Sequence, residues 1–218
     1  MIELYTWNTP NGRKVSILLE ELGIEYRVVP VNIDLGEQLT DGFRLISPNG
    51  KIPALVDSET GLALMESGAI MIYLADKYQR FLSSEPAKRY HQLAWLMWQM
   101  AGFGPMLGQA HHFLHFNPGK SSYAEARYRA EAGRLYGVLE RRLTDRDFVG
   151  DEYSIADMAI WPWVARFAFH QIDLNDFPRV RDWYRNIAAR PAVVRGYAVP
   201  DPLATPPYPP VHVKLSPT

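Results

Sequence analysis

The chain has 218 residues, 47% of them hydrophobic and 22% charged, with a formal charge of −1 and no cysteine. That length holds one large domain or two small ones. The missing cysteines exclude disulfides, thiolate metal sites, a C-x-x-C redox pair and a cysteine nucleophile, so any thiol chemistry must use a sulfur from elsewhere. Residues 1–80 hold 7 basic and 11 acidic side chains, the remainder 16 and 13. This mild asymmetry lacks the basic footprint of a nucleic-acid binder. Met1-Ile2-Glu3-Leu4 has neither the charged nor the apolar region of a signal peptide. The longest apolar stretch, Leu93 to Leu107, is interrupted by Gln99 and two glycines and is too short to span a bilayer. The expectation is a cytoplasmic protein with neither a membrane nor a nucleic acid as partner.

The first eighty residues change period every ten or so. Ile2-Glu3-Leu4-Tyr5 reads as a strand. Val15, Leu18, Leu19 and Leu22 recur at helical spacing up to a terminating Gly23. Tyr26 to Val31 is a β-branched run, which completes a βαβ unit. A short helix near Thr40 to Ile46 precedes the turn cluster Ser47-Pro48-Asn49-Gly50. Ala54 to Val56 and Leu62 to Met65 form a hairpin around Asp57 to Gly61, and Ser67 caps a helix running to Lys77. From Pro86 onward the periodicity is helical: His91 to Met106, Tyr123 to Leu143, Ile155 to Ala168 and Val180 to Ala189. Ser154-x-x-Asp157 opens the third of these as a capping box. The expected organisation is an α/β domain over 1–80, a linker over 81–86, an all-helical domain over 87–199 and a tail over 200–218. That tail carries seven of the 17 prolines, so it is either disordered or laid along the surface as polyproline II.

Three short motifs admit both a structural and a chemical reading. Thr9-Pro10-Asn11-Gly12 makes a helix start, with Thr9 as cap and Pro10 in the first turn. The same geometry aims backbone N–H groups at an anion, and Thr9 and Asn11 add a hydroxyl and an amide donor. Moving a thiol pKa from ~8.5 to ~6.5 needs about 2.7 kcal/mol, within reach of one or two hydrogen bonds of ~1.5–3 kcal/mol each. Lys51-Ile52-Pro53-Ala54 leads into a strand; Pro53 starts it either in trans, or in cis with the Ile52 N–H and C=O turned out toward an extended peptide ligand. Glu66-Ser67 stands before a helix as a cap, or as a grip for the ammonium and carboxylate of an α-amino acid.

Together, in a βαβ-αββα frame followed by helices, these motifs resemble the cytosolic glutathione transferases, over about residues 1–199. Thr-Pro-Asn-Gly-x-Lys at 9–14, Ile-Ser-Pro-Asn-x-Lys-Ile-Pro-Ala at 46–54, Glu-Ser-Gly-Ala-Ile at 66–70 and Gly-Pro-Met-Leu-Gly-Gln-x-His-His-Phe at 104–113 look like the bacterial nu class. That class is similar to the yeast prion-type nitrogen regulator, and its best-studied members reduce disulfides with glutathione. The resemblance implies a thioredoxin-like domain followed by a helical bundle, and a homodimer. It implies glutathione as co-substrate, as two molecules or as oxidised glutathione in each site. It places Asn11 and Thr9 at the glutathione sulfur and Ile52, across a cis Pro53, against the cysteinyl unit. Glu66 and Ser67 fall on the γ-glutamyl group, Gln38 and Lys51 on the glycyl end, and Arg127 on a glutathione carboxylate. Glutathione-dependent reduction of small disulfides is the implied activity. Conjugation to electrophiles, hydroperoxide reduction, or a binding role without turnover would use the same fold.

His111 and His115 are four apart, the spacing of a metal pair. No glutamate stands between His111 and His115, and Asp and Glu are absent from 86 to 124, so no metal is expected. His111 is assigned with Phe103, Met106 and Phe113 to the mouth of a second-substrate pocket. Trp95, Trp98, Trp161, Trp163 and Trp183 read as helix packing, and Tyr5, inside the first strand, as core. With no cysteine of its own to lose, the free protein should keep full activity after incubation with a thiol-alkylating reagent that is then removed.

Overall fold

A computed structural model describes residues 1–209. Strand β1 (Ile2–Thr6) is followed by helix α1 (Pro10–Leu22) and the parallel strand β2 (Tyr26–Pro30). A short helix α2 (Asp41–Arg44) leads to the hairpin of β3 (Ala54–Asp57) and β4 (Leu62–Met65), and helix α3 (Ser67–Tyr78) closes the unit. The sheet order is β2-β1-β3-β4, with β3 antiparallel to both its neighbours. This is a thioredoxin-like domain with a mixed four-stranded sheet. The alternation of β1 puts Ile2, Leu4 and Thr6 inward. The remaining elements are helical: α4 (Pro86–Trp98), α5 (Gly104–Ala110), α6 (Ser122–Arg142), α7 (Ile155–Val164), α8 (Pro178–Ala188) and α9 (Pro191–Tyr197). Wider π-helical turns at Gln99–Phe103 and His111–Phe116 join α4 to α5 and extend α5. Among the described residues, no helix is long and apolar enough to cross a membrane.

Helix α1 is the hub. Thr9 caps it by accepting from the Gly12 N–H at 3.2 Å, and Gly23, at φ 70°, ends it. Gly12 through Leu19 are all buried, because α3, α7 and α9 pack around it as well as the sheet. Burial on every side leaves α1 no solvated face. Arg13, 2% exposed, therefore donates from Nε to the Tyr197 carbonyl at 3.1 Å and lays its guanidinium 3.5 Å over the Tyr197 ring. Ser16 donates to the Gly196 carbonyl at 2.6 Å.

Helix α9 goes beyond the periodicity reading, which stopped at Ala189. Its seven residues between two prolines are too few for a period to register, and its contacts with α1 establish it. The tail follows a cis Val199–Pro200 bond. Residues 204–209 have no regular structure, and the Pro207 carbonyl accepts from the Tyr184 hydroxyl at 2.6 Å. The expectation for the tail beyond residue 209 lies outside the described residues.

Gly196 sits where α9 crosses α1, and a Cβ there would meet the Ile17 Cα at 2.6 Å and N at 2.7 Å. Since the obstruction is helix backbone, Gly196→Ala should destabilise the protein by about 1–3 kcal/mol, seen as a lower urea midpoint with an unchanged slope.

Candidate functional site

The first turn of α1, the loop before β3, the β4–α3 corner and the π-helical turn after α4 surround one cavity with two lobes. The outer lobe, ≈ 160 Å³, is lined by Asn11, Ser47, Asn49, Lys51, Ile52, Pro53, Met65, Glu66, Ser67 and Met100. The inner lobe, ≈ 240 Å³, shares Asn11, Glu66 and Met100 and adds Lys14, Gln99, Gly104, Pro105, Gly108 and Trp163. Together the lobes fall in the size range of small-molecule sites.

Asn11 lies on the shared wall. The Trp163 indole N–H donates to Asn11 Oδ1 at 3.2 Å. An indole nitrogen only donates, so it spends the amide oxygen and leaves the amide NH₂ as the free polar group of Asn11. Trp163 reaches this position by crossing Gly104 and Gly108, where a Cβ would stand 3.3 Å from its Nε1 and 3.5 Å from its ring edge. Trp163 is thus a wall of the site rather than helix packing alone. Thr9 accepts from Gly12 through its oxygen, which leaves its hydroxyl proton to donate elsewhere. A Cβ at Gly12 would fall 2.3 Å from Thr6 Oγ1, so only glycine lets this turn close.

The Ile52–Pro53 bond is cis. Ser47 braces the loop by donating from Oγ to the Lys51 carbonyl at 2.8 Å. Among the described residues, no hydrogen bond uses the Ile52 backbone N–H or C=O, so both remain for an extended ligand. Lys51 is exposed at the rim.

Ser67 does not cap α3. The cap position belongs to Glu66, at φ 69° and ψ 113°, and Ser67 is the first helical residue. Left-handed backbone at a non-glycine residue costs of order 1–3 kcal/mol and collects at functional sites. Here it accompanies an exposed Glu66 carboxylate that lines both lobes. The Ser67 hydroxyl instead accepts from Lys14 Nζ at 3.3 Å.

Lys14 lines the site and was not among the residues expected there. It is 1% exposed, and its Nζ also donates to Gln99 Oε1 at 2.6 Å and approaches Met100 Sδ at 3.4 Å. Burial pulls its pKa down to about 7, with Glu66 opposing. Gln99 Nε2 is buried and finds no partner among the described residues. The inner lobe is therefore floored by donors: the Lys14 ammonium, the Gln99 NH₂ and the Asn11 NH₂. An arrangement with surplus donors on buried or half-buried side chains suits an anion. The signal for Lys14 was its place three residues after Asn11 and directly before the apolar positions Val15, Ile17, Leu18 and Leu19, on a stretch from Gly12 to Leu19 that is enclosed throughout.

The remaining sequence-predicted residues lie apart from the lobes. Gln38 sits in the 3₁₀ turn Glu37–Leu39, its Oε1 buried without a partner among the described residues and its carbonyl packed against Gly50. Arg127 and Met106 line a separate cleft of ≈ 560 Å³ along α6, with Tyr123, Glu131 and Arg134. Phe113 stacks on Tyr128 at 5.4 Å. Phe103, 0% exposed, packs between Trp98 and Tyr136 in the core and has no surface to offer a ligand. His111 is buried behind Trp163, stacked between it and His170. Its Nε2 meets His170 Nε2 at 2.7 Å, and His170 Nδ1 meets the Tyr136 hydroxyl at 3.0 Å. His115 points elsewhere and stacks on Phe169. Among the described residues, no three His, Cys, Asp or Glu side chains are grouped to hold a metal ion.

Two family models match the chain: glutathione S-transferase, N-terminal domain, over residues 9–77, and glutathione S-transferase, C-terminal domain, over residues 122–186. The chain is 48% identical over 198 residues to the disulfide-bond oxidoreductase YfcG of Escherichia coli strain K12, spanning 88% of this chain and 92% of that protein. Among solved structures it is similar to a glutathione transferase from Pseudomonas putida with one glutathione disulfide bound per subunit (TM-score 0.87, 44% identity, 91% of each chain). It is equally similar in shape to one from Burkholderia graminis with two glutathione molecules bound per subunit (TM-score 0.87, 45% identity, 92% of this chain and 88% of that one).

The histidine pair behind Trp163 sets an acid limit on stability. Burial, then Arg166 and His115, lower the His111 pKa from 6.5 to about 4. Its contribution is complete above pH 6.5 and is lost as pH falls toward 4, because only the unfolded chain takes the proton. Between pH 7 and pH 5 this amounts to about 2 kcal/mol. Urea unfolding of His111→Gln should show a pH dependence smaller by about that amount.

Proposed function

The chain belongs to the glutathione transferase family, and on that premise we propose that it is a glutathione-dependent reductase of small organic disulfides. The observation that carries this reading is the Trp163–Asn11 hydrogen bond, which orients the amide NH₂ as a fixed donor on the wall shared by both lobes. Asn11 and the Thr9 hydroxyl, with the N-terminus of α1, stabilise the glutathione sulfur as a thiolate. The free Ile52 backbone takes the cysteinyl unit. Glu66 takes the γ-glutamyl ammonium, and Ser67 with the start of α3 takes its carboxylate. Lys51 and Gln38 serve the glycyl end, and Arg127, in its own cleft, a glutathione carboxylate. Met106, beside Arg127, and Phe113, stacked on Tyr128, are assigned to the second substrate.

The thiolate attacks one sulfur of the substrate disulfide. The S–S bond breaks, and the departing thiolate keeps the electron pair and takes a proton from water. A second glutathione thiolate then attacks the glutathionyl sulfur of the mixed disulfide and releases the second substrate thiol. One substrate disulfide is reduced as two glutathiones become one glutathione disulfide. Attack is fastest when the thiol pKa lies near ambient pH, which is what a donor-lined site provides. Two glutathione units for each site and a homodimeric assembly belong to the same proposal, which the two glutathione-bound relatives support for the first of these.

The test is a coupled assay with 2-hydroxyethyl disulfide, glutathione, glutathione reductase and NADPH, run beside a halonitroarene conjugation assay. The expected result is NADPH consumption by the wild type. Asn11→Ala should lower kcat/KM by about 10- to 100-fold, the worth of one hydrogen bond to a charged group. Conjugation without disulfide reduction, or full reductase activity in Asn11→Ala, would overturn it.

A further inference from the structure

Lys14 is unused by the function as described, yet it is the one buried ammonium in the walls of the cavity. Burying a charge without an ion-pair partner is costly, and a group so placed neutralises or finds a counter-charge. Around Lys14, α3 contributes Ser67, the π-helical turn contributes Gln99 and Met100, its own helix contributes Asn11 and α7 contributes Trp163. All of these are neutral. Only Glu66, exposed at the rim of the β4–α3 corner, is ionisable. Three of the neighbours already accept from the ammonium, while Gln99 Nε2 beside it has no acceptor among the described residues. The charge and the surplus donors together lack an anion.

We propose that Lys14 is a positioning residue whose buried positive charge is matched to the glutathione thiolate, acting through Ser67, Gln99 and the field across the inner lobe rather than by touching the sulfur. This rests on the glutathione reading above. Ser67, accepting from Lys14, directs its own O–H to Met100 Sδ at 3.6 Å, a weak acceptor that a ligand carboxylate would replace as the stronger one. The field of an ammonium held 1% exposed reaches the same wall that carries the Asn11 NH₂. Coupling between two ionisable groups is reciprocal: the ammonium favours the thiolate, and the thiolate favours the ammonium. Burial, opposed by Glu66, leaves Lys14 balanced at about pH 7 in the free protein. Glutathione binding therefore drives it to the charged state, and the proton lost by the thiol is recovered, by way of solvent, on Nζ.

The experiment has two parts. First, glutathione binding to the wild type is measured by calorimetry at pH 8 in buffers of different ionisation enthalpy, with S-methylglutathione as the ligand that has no thiol proton. Near-zero net proton release for glutathione, and no uptake for S-methylglutathione, is expected; release approaching one proton for glutathione would overturn the coupling. Second, the thiolate absorbance of bound glutathione near 240 nm is titrated in Lys14→Met and in Lys14→Gln, which keeps a polar reach without the charge. Both variants should raise the bound thiol pKa by about one unit, about tenfold less thiolate at a given acid pH. An unchanged pKa in either folded variant would overturn the proposal. If the wild type binds no glutathione, the functional reading itself falls; if it binds glutathione with a lowered thiol pKa that neither variant moves, only the role of Lys14 falls.

Discussion

Everything in this molecule depends on the burial of helix α1 on all sides. A helix with one wet face turns its charged residues to water. Here the sheet, α3, α7 and α9 cover it, and the residues from Gly12 to Leu19 are enclosed. The polar first turn is thereby forced inward, where each group must find a partner. Arg13 finds the Tyr197 ring and carbonyl, Ser16 the Gly196 carbonyl, and Lys14 the amide of Gln99. The site is the inner end of that helix.

From this constraint follows the division of labour between the two parts of the chain. The thioredoxin-like part supplies groups left open to a peptide ligand: the Ile52 backbone, the Glu66 corner and the start of α3. The helical part supplies the orientation of those groups. Trp163 fixes the Asn11 amide, and Gln99 holds the Lys14 ammonium. Two glycines keep a Cβ out of the path: Gly12 beneath the first turn, and Gly104, where it would press on the Gln99 amide and crowd the indole nitrogen. Behind the indole, the stacked His111–His170 pair and Tyr136 form a closed, neutral hydrogen-bonded chain that backs the wall without lining it.

Most of the fold was legible because its elements carry strong local signals. The β-branched run at Tyr26, the helix stop at Gly23, the Thr9 cap and the Ser154–Asp157 capping box all declare themselves within a few residues. Helix α9 did not, since seven residues hold too little period. Ser67 was misread as a cap because a serine before an apolar run usually is one. Its hydroxyl was taken by a lysine fifty-three positions away. Phe103 and His111 were assigned to a pocket from their neighbours in the motif, but one turn of helix separates core from cavity, and packing put both inside.

The sequence by itself determined the chemistry on offer: no sulfur of its own, donors at the start of α1, a proline-led strand and a carboxylate before α3. These are matters of composition and of spacings shorter than a helical turn. Only the tertiary structure decided which atoms of those residues face a ligand. Asn11 presents its NH₂ because Trp163, distant in sequence, spends its oxygen, and Lys14 is charged or neutral near pH 7 because the surrounding helices exclude water. Hydrogen-bond direction and desolvation are properties of neighbours, and neighbours are settled by folding.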